Sequence, residues 1–416
     1  MDNFKNTDIG LLPEHWNLIP LENEEYFKTI NGLWKGKKPP FKVVTVIRNT
    51  NFTEFGIVDY SDVAVLDVEE KQYQSRKLFF GDVIIERSGG GPTQPVGRVV
   101  FFDRSTGEYS FSNFTSCLRT LNQNEFLPKY VFYSLLHFYL SGRTDSLQAR
   151  TTGIRNLNFT SYKEKAGIPK ISLPEQKKIA HVLSKIQQAI ETQEQIIKTT
   201  QELKKALMQK LFTEGLNGEP QKQTEIGPIP KSWEVIELGK LFKLSSGKGR
   251  PKDISELPDN LKTIPIFGGN GILGYTELKM LDMPVLVIGR VGEYCGVTYV
   301  TKGVSWISDN ALYTKKVLRE FNINYMKEFL TYFDLNRFRN RGGQPLVTQG
   351  IIHEIKVGLP HIKEQNLMSE YLESLNSKID QEKTLLQYNK DLFRSSLNQL
   401  MSGQIRVKDI ELKLVG

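Results

Sequence analysis

The stretch that decides the fold is residues 175–212, EQKKIAHVLSKIQQAIETQEQIIKTTQELKKALMQKLF. Its apolar side chains return in steps of three, four or seven positions, which places them in one stripe along a helix. Such a stripe is typical of a coiled-coil seam. At about 1.5 Å per residue, a helix of this length would extend over about 57 Å. The sequence therefore predicts one long helix with a coiled-coil seam.

A second stretch repeats the first at an offset of 189 residues, because Glu364-Gln365 stands where Glu175-Gln176 opens the first helix. Nearly all apolar seam positions recur. A parallel pair would force the chain to travel back along a whole helix, and short connections are the rule, so we predict an antiparallel pair. The predicted helix seam, which we also expect to include partner contacts, is Ile179, Leu183, Ile186, Ile190, Ile197, Met368, Leu372, Leu375, Ile379 and Leu386.

Another motif precedes each half: residues 9–16 (IGLLPEHW) and 226–233 (IGPIPKSW) share Ile-Gly, Pro and Trp at the same spacing. Each half thus contains this opening motif, a mixed segment, Glu-Gln and a long helix. The sequence predicts an α+β fold: two strand-rich segments separated by two long antiparallel coiled-coil helices, with a pseudo-twofold internal repeat.

Both mixed segments contain short strand-like runs with Gly and Pro between them. The predicted strands are residues 41–47, 63–68, 82–86 and 97–102 in the first segment, and 263–267, 284–288 and 296–300 in the second. Each segment ends in a short aromatic helix, at 129–139 and 324–333. Residues 83–87 (VIIER) match 286–290 (LVIGR), but the segments have otherwise diverged.

Basic and polar side chains cluster in the predicted loops of both segments, in a chain of 416 residues with net charge +8. Lys and Arg neutralise phosphates, and Arg, Asn and Gln form paired hydrogen bonds with base edges. We therefore predict DNA contacts by Lys35, Lys37, Lys38, Arg87, Gln94, Arg98, Arg150, Thr152, Arg155, Lys248, Arg250, Lys252, Asn270, Arg290, Arg339, Arg341 and Gln344.

Motifs for catalysis are scarce in this sequence. The run Lys38-Pro39-Pro40-Phe41 has Lys where amino-methyltransferases need Asn, Asp or Ser. Asp62, Glu69 and Lys71 resemble the acidic-acidic-lysine metal site of nucleases, which leaves a stand-alone DNA-modifying enzyme or nuclease as an alternative. A purely structural coiled-coil scaffold is another. Two cysteines and five histidines show no metal-ligand spacing, so we expect no metal. The sequence also shows no nucleophile-base-acid arrangement, so we expect no catalytic residue.

The N-terminus has neither the basic nor the apolar region of a signal peptide. The longest aromatic and apolar run, residues 130–140, is about half of the ~20 residues that a membrane span requires. We therefore expect a cytoplasmic protein without a membrane partner.

Taken in order, the repeated motifs resemble one family, the specificity subunits of type I restriction-modification systems. The resemblance covers nearly the whole chain and is carried by the opening motifs, by the segment ends TGIRNL (152–157) and GGQPLV (342–347), by LPEQ (173–176), and by LP (359–360) followed by Glu364-Gln365. The helix ends LFTEGL (211–216) and LMSGQIRV (400–407) complete it. Pro360 lies farther from Glu364-Gln365 than Pro174 lies from Glu175-Gln176, and this difference between the halves concerns only the local turn.

The resemblance implies a non-catalytic subunit that binds double-stranded DNA through two target recognition domains, each reading one half of a split site. It places these domains at residues 1–170 and 226–358. The first spacer helix would be 171–214, the linker 215–225, the second spacer helix 359–403 and the C-terminal tail 404–416.

Its implied partners are methyltransferase subunits, expected to be two, and restriction or translocase subunits. No cofactor is expected on the chain itself; S-adenosylmethionine, ATP and Mg²⁺ would be bound by the partner subunits. A subunit of a related modification system without restriction partners remains an open alternative.

Overall fold

The computed structural model describes residues 3–34, 36–91, 94–151, 154–340 and 345–407. The chain forms two compact units. Unit 1 comprises Met1–Glu194 and Leu385–Gly416, and unit 2 comprises Gln195–Thr384. Each unit therefore contains one strand-rich module and a part of each long helix. The domain limits given above from the sequence stay a prediction.

Helices account for the longest elements of the chain. In chain order they are α1 (Glu70–Arg76), α2 (Pro128–Leu140), α3 (Phe159–Lys165), α4 (Leu173–Glu214), α5 (Leu238–Leu241), α6 (Ile323–Phe333), α7 (Gln349–Glu354) and α8 (Ile362–Met401). The two long helices, α4 and α8, and the two aromatic helices, α2 and α6, confirm the sequence predictions.

The strands are short and belong to several small sheets. In unit 1 they are β1 (Phe4–Thr7), β2 (Gly10–Pro13), β3 (Asn17–Ile19), β4 (Phe27–Asn31), β5 (Phe41–Ile47), β6 (Ala64–Glu69), β7 (Val83–Glu86), β8 (Ser88–Gly90), β9 (Val99–Phe101), β10 (Tyr109–Phe111), β11 (Thr115–Thr120), β12 (Gln148–Thr151), β13 (Ile154–Leu157) and β14 (Ile168–Lys170). In unit 2 they are β15 (Gln221–Thr224), β16 (Gly227–Pro230), β17 (Glu234–Glu237), β18 (Phe242–Ser246), β19 (Ile264–Gly268), β20 (Gly271–Thr276), β21 (Leu286–Gly289), β22 (Thr298–Val300), β23 (Trp306–Ile307), β24 (Ala311–Val317) and β25 (Lys356–Leu359).

The two units share one sheet topology. A four-stranded antiparallel sheet has the order β4-β11-β7-β9 in unit 1 and β18-β24-β21-β22 in unit 2. Beside it, a parallel pair joins β5 to β10 in unit 1 and β19 to β23 in unit 2. The opening motifs form the hairpins β1-β2 and β15-β16. This equivalence confirms the internal repeat.

One sheet of unit 1 has no three-stranded equivalent among the described residues of unit 2. In unit 1, β12, β13 and β8 form a three-stranded sheet next to the end of β7. At the corresponding place, the described residues of unit 2 contain an isolated bridge between Val291 and Leu346.

The long helices run antiparallel within each unit. In unit 1, Glu175 binds Arg406 at 2.7 and 2.9 Å, and Glu194, farther along α4, lies 3.2 Å from Lys390. Later residues of α4 thus contact earlier residues of the C-terminal segment, which means that the two run in opposite directions. In unit 2, the Leu216 N–H, just after α4, donates to Glu364 near the start of α8 at 2.9 Å, whereas Lys204 and Asn376 both bind Glu328, at 2.8 and 2.9 Å. The predicted antiparallel arrangement is confirmed within each unit.

The predicted seam residues lie on the covered sides of these helices. Six of them are buried: Ile179, Leu183, Ile190, Met368, Leu372 and Ile379. The other four are half-buried: Ile186, Ile197, Leu375 and Leu386. In unit 1 the buried positions pack in one core with Phe393 and Leu397 of α8, so the apolar stripe contributes to the fold by removing this area from water.

The glutamine of each Glu-Gln motif ties a long helix to an aromatic helix. The Gln176 side-chain oxygen accepts from the Leu127 backbone N–H, just before α2, at 2.8 Å, and its amide donates to the Glu125 and Ile171 carbonyls. The Gln365 oxygen accepts from the Asn322 N–H, just before α6, at 2.9 Å. These bonds satisfy helix-terminal N–H groups that have no partner within their own helix.

The tryptophan of each opening motif packs against the turn that ends a long helix. Gly215 and Gly403 both have φ of +70°, a left-handed conformation that favours glycine after a helix. A Cβ on Gly403 would lie 3.1 Å from the Trp16 ring, and one on Gly215 would lie 3.4 Å from Trp233 Nε1. Both tryptophans are buried. The close approach explains why the same residue types recur in both halves.

Replacing Gln365 by Leu should lower the stability of unit 2 by about 1–3 kcal/mol, because the Asn322 N–H and the Pro360 carbonyl lose their hydrogen-bond partner. Calorimetric unfolding of the purified chain should show a transition at lower temperature. Gln201→Leu, at an exposed position of α4, is the control and should leave the transition in place. Equal transitions for the two variants would contradict this role of Gln365.

Candidate nucleic-acid interface

An arginine follows the same core strand in both units. Arg87 comes directly after β7 and donates from Nη1 to Asn31 Oδ1, at 2.9 Å. Arg290 comes directly after β21 and donates from Nη1 to Ser246 Oγ, at 3.4 Å. Asn31 and Ser246 are the last residues of the equivalent strands β4 and β18. The two arginines therefore occupy equivalent places, and each is hydrogen-bonded to an uncharged side chain.

The environment of Arg87 differs in one respect from that of Arg290. Its guanidinium lies over the Phe159 ring, 4.8 Å from the ring centre. Partial burial there lowers the pKa of Arg87 from its ordinary value. An arginine titrates so far above neutrality that the side chain keeps its charge. Contact with the ring restricts the guanidinium, whose planar set of donors suits paired hydrogen bonds with a base edge.

The additional sheet of unit 1 brings further polar groups beside Arg87. The Leu157 N–H donates to the Arg87 carbonyl at 2.8 Å, which joins β13 to the end of β7. On the same sheet, Arg155 Nη1 donates to Gln148 Oε1 at 3.2 Å. Arg155 therefore lies on β13, the strand whose Leu157 N–H binds the Arg87 carbonyl.

The remaining predicted contacts of unit 1 fall into two groups. Lys37, Lys38 and Gln94 are exposed. Lys35 and Thr152 lie outside the described residues, as does the side chain of Arg150.

In unit 2 the predicted basic residues lie on surface loops. Lys248, Arg250 and Lys252 follow β18 and are exposed, and Arg250 Nη2 donates to the Leu273 carbonyl at 3.4 Å. Asn270 is exposed and accepts from the Tyr299 hydroxyl at 3.2 Å. Arg339 is exposed after the short 3-10 helix Leu335–Phe338. Arg341 and Gln344 lie outside the described residues.

Arg98 is placed differently from the other predicted contacts. Its side chain is 11% exposed and makes a two-pronged ion pair with Glu86, at 2.8 and 2.7 Å. It also donates to the Phe52 and Asn49 carbonyls, at 3.2 and 3.0 Å. These bonds direct its guanidinium into the module. The DNA contact assigned to Arg98 from sequence stays a prediction, and the structure adds an internal role.

Sequence reasoning missed the partners that hold these arginines: Asn31, Ser246, Asn49 and Glu86. One signal was present. Glu86 ends the apolar run VIIE, and its side chain is fully buried. A carboxylate in a buried strand requires a cation within hydrogen-bond distance, so its position pointed to an internal arginine.

The alternative nuclease site is wrong in this fold. Strand β6 separates Asp62 from Glu69, because Ala64 pairs with Val46 and Glu69 pairs with Phe41 at the other end of the hairpin. At about 3.3 Å per residue, β6 alone covers about 16 Å. Carboxylates so far apart cannot both lie within the ~2.0–2.6 Å of a shared metal ion. Among the residues that the structure describes, no group of His, Cys, Asp or Glu is arranged to hold a metal.

Within the described ranges, no helix combines the length and the apolar character that crossing a membrane would take.

Comparison with known proteins connects this architecture to one family. The family model "Type I restriction modification DNA specificity domain" matches residues 18–202 and 230–388, which include most of both modules. A protein of Methanocaldococcus jannaschii named as the MjaX specificity subunit of a type I restriction enzyme is 26% identical over 98% of this chain and 97% of its own length. The MjaVIII specificity subunit of the same organism is 28% identical over 68% of this chain and 71% of its own length.

A solved structure has the same fold. The crystal structure of the S subunit of a type I restriction-modification system from M. genitalium matches with a TM-score of 0.65. The match covers 95% of this chain and 98% of that one, at 18% sequence identity. At this identity the likeness concerns the fold alone.

Proposed function

The chain belongs to the family of type I restriction modification DNA specificity domains, and from this premise we propose that it reads a split DNA target, one half-site with each module. The observation that carries the proposal is the arginine held at the same place in both units, by Asn31 in unit 1 and by Ser246 in unit 2. Around these arginines the loops differ, so each module would read its own sequence.

The chemistry of the two arginines suits base reading. Among the described ion pairs, neither Arg87 nor Arg290 has a carboxylate partner, so the guanidinium charge stays available for DNA. An arginine offers five N–H donors, and two of them match O6 and N7 of guanine in the major groove. The exposed Lys37, Lys38 and Lys248 would bind phosphates, which gives affinity that falls with salt.

Arg87→Ala should weaken discrimination at one half-site and Arg290→Ala at the other, each by about 1–3 kcal/mol, because a paired base contact is lost. The DNA sequence that the complex recognises is first determined by methylation-sensitive sequencing of the host genome. The measurement is DNA binding by the complex reconstituted with its methyltransferase subunits, with base changes in either half-site. Arg104→Ala, at a partly exposed arginine of unit 1, is the matched control. Loss at both half-sites from one substitution would contradict independent reading.

We further propose that α4 and α8 set the distance between the two half-sites. They comprise 42 and 40 residues, and a continuous helix resists changes in length. Each residue adds about 1.5 Å, so the helices act as a fixed spacer of the recognised site.

Inserting seven residues into each long helix, after Glu194 and after Thr384, should lengthen the gap between half-sites while both half-sites stay the same. Seven residues add about 10.5 Å of helix, or about three base pairs at 3.4 Å each. Methylome sequencing of a strain with the altered chain measures the gap. An unchanged gap with normal methylation would exclude the spacer role.

The outer face of α8 supports a docking site for the methyltransferase subunits. In unit 1, Leu385, Tyr388 and Leu392 follow one another at helical spacing and are 47%, 69% and 52% exposed. Contiguous exposed apolar side chains mark interaction surfaces on soluble proteins. We assign this α8 stripe to a methyltransferase subunit. In the proposal, S-adenosylmethionine, ATP and Mg²⁺ bind to the methyltransferase and restriction subunits, and this chain contributes recognition without catalysis.

The double variant Leu385→Lys/Leu392→Lys should reduce co-elution with the methyltransferase subunit in size-exclusion chromatography, because charge replaces the apolar contact. Leu257→Lys/Leu261→Lys, at two still more exposed leucines of unit 2, is the matched control and should co-elute normally. Equal co-elution of the two double variants would place the docking surface elsewhere.

A further inference from the structure

Unit 1 contains a polar cluster in which Arg98 and Asn49 surround the buried carboxylate of Glu86. The Glu86 carboxylate, fully buried, accepts from Arg98 Nε at 2.8 Å and Nη2 at 2.7 Å. Asn49 Nδ2 donates to Glu86 Oε1 at 3.2 Å, and the Asn49 carbonyl accepts from Arg98 Nη2 at 3.0 Å. Well-packed apolar groups often stabilise a core as much as a buried ion pair does, so the cluster calls for a role beyond stability.

The cluster is connected to the surface through Asn49. Its Nδ2 also donates to the Ser88 carbonyl, at 3.1 Å, in the strand that follows Arg87. A Cβ on Gly89 would lie 2.3 Å from this same nitrogen, so the backbone of β8 rests directly on the Asn49 side chain. The single amide group therefore joins the buried carboxylate to strand β8.

Strand β8 belongs to the sheet that contains Arg155. Strand β8 pairs with β13, where Gly90 stands opposite Arg155 and Ser88 opposite Asn156. The Leu157 N–H binds the Arg87 carbonyl. Moving β8 would displace both Arg87 and Arg155 relative to the core sheet.

At the equivalent place, the described residues of unit 2 contain no such cluster around a buried carboxylate. Gly289 ends β21 where Glu86 ends β7. A Cβ on Gly289 would lie 2.3 Å from the Gly269 carbonyl oxygen, so no side chain fits there. The two units thus support the same arginine position by different means.

We propose that Glu86, Arg98 and Asn49 are positioning residues that fix the sheet β12-β13-β8, and thereby the base discrimination of the half-site read by unit 1 alone. The inference rests on the proposed function. Rigid placement of hydrogen-bonding groups allows a base contact to reject a wrong base, because a mobile group can adapt its hydrogen bonds to the correct base or to a wrong one. The half-site read by unit 2 is an internal control within the same molecule.

The test uses Asn49→Ala and Asn49→Asp in the reconstituted complex. Asn49→Asp has nearly the same shape but lacks the donors and places a second carboxylate beside Glu86. Both variants should reduce discrimination between correct and wrong bases by about 5-fold or more at the unit 1 half-site. The unit 2 half-site should be read as before. Asn23→Ala, at an exposed turn of unit 1, is the control.

Hydrogen exchange provides the second measurement. The backbone amides of β8 and of Asn156 and Leu157 should exchange faster in both variants than in the unchanged chain. Unchanged discrimination with faster exchange would overturn the inference while the proposed function stands. Equal losses at both half-sites would overturn the inference and would also contradict independent reading by the two modules. If the unchanged complex discriminates at neither half-site, the proposed function fails, and this inference fails with it.

Discussion

The structure depends on one side-chain contact made twice, the glutamine that joins a long helix to an aromatic helix. Gln176 and Gln365 are buried at the start of α4 and α8, and each accepts from the backbone N–H just before the aromatic helix. A long amphipathic helix can rotate and slide along an apolar core, because hydrophobic contacts have little directionality. The directional hydrogen bond fixes the helix to the sheet-bearing module, and so fixes where the surface loops of that module lie relative to the helix.

The two modules show how one scaffold is kept while its surface changes. Core sheets, opening hairpins and helix-end glycines are equivalent, and so are Arg87 and Arg290. The support beneath the arginine differs, with a buried ion pair in unit 1 and a close backbone approach at Gly289 in unit 2. A repeated architecture with individually supported surfaces fits the proposal that each module reads its own half-site.

Part of this architecture was predictable because its apolar residues recur with the period of a helix or of a strand. The strands at 41–47 and 82–86, the helices at 129–139 and 324–333 and the long helices are confirmed. The central strands β11 and β24 were missed. Strand β11 is buried on both faces, with Cys117 in one core and Leu118 in another, and its Thr and Ser residues are buried too. Such a strand shows no alternation of apolar and polar residues, which is the signal that sequence reading relies on.

The sequence by itself determined the repeat, the long helices and their antiparallel direction, since these follow from spacing and chain connectivity along one dimension. Only the tertiary structure decided which polar residues face outward. Arg87 and Arg98 look alike in sequence, yet one rests beside Asn31 at the surface and the other is bound to Glu86 inside. Asp62 and Glu69 look like neighbours but lie at opposite ends of a hairpin. The physical reason is that hydrogen bonds and ion pairs act over a few ångströms in space, whatever the separation along the chain.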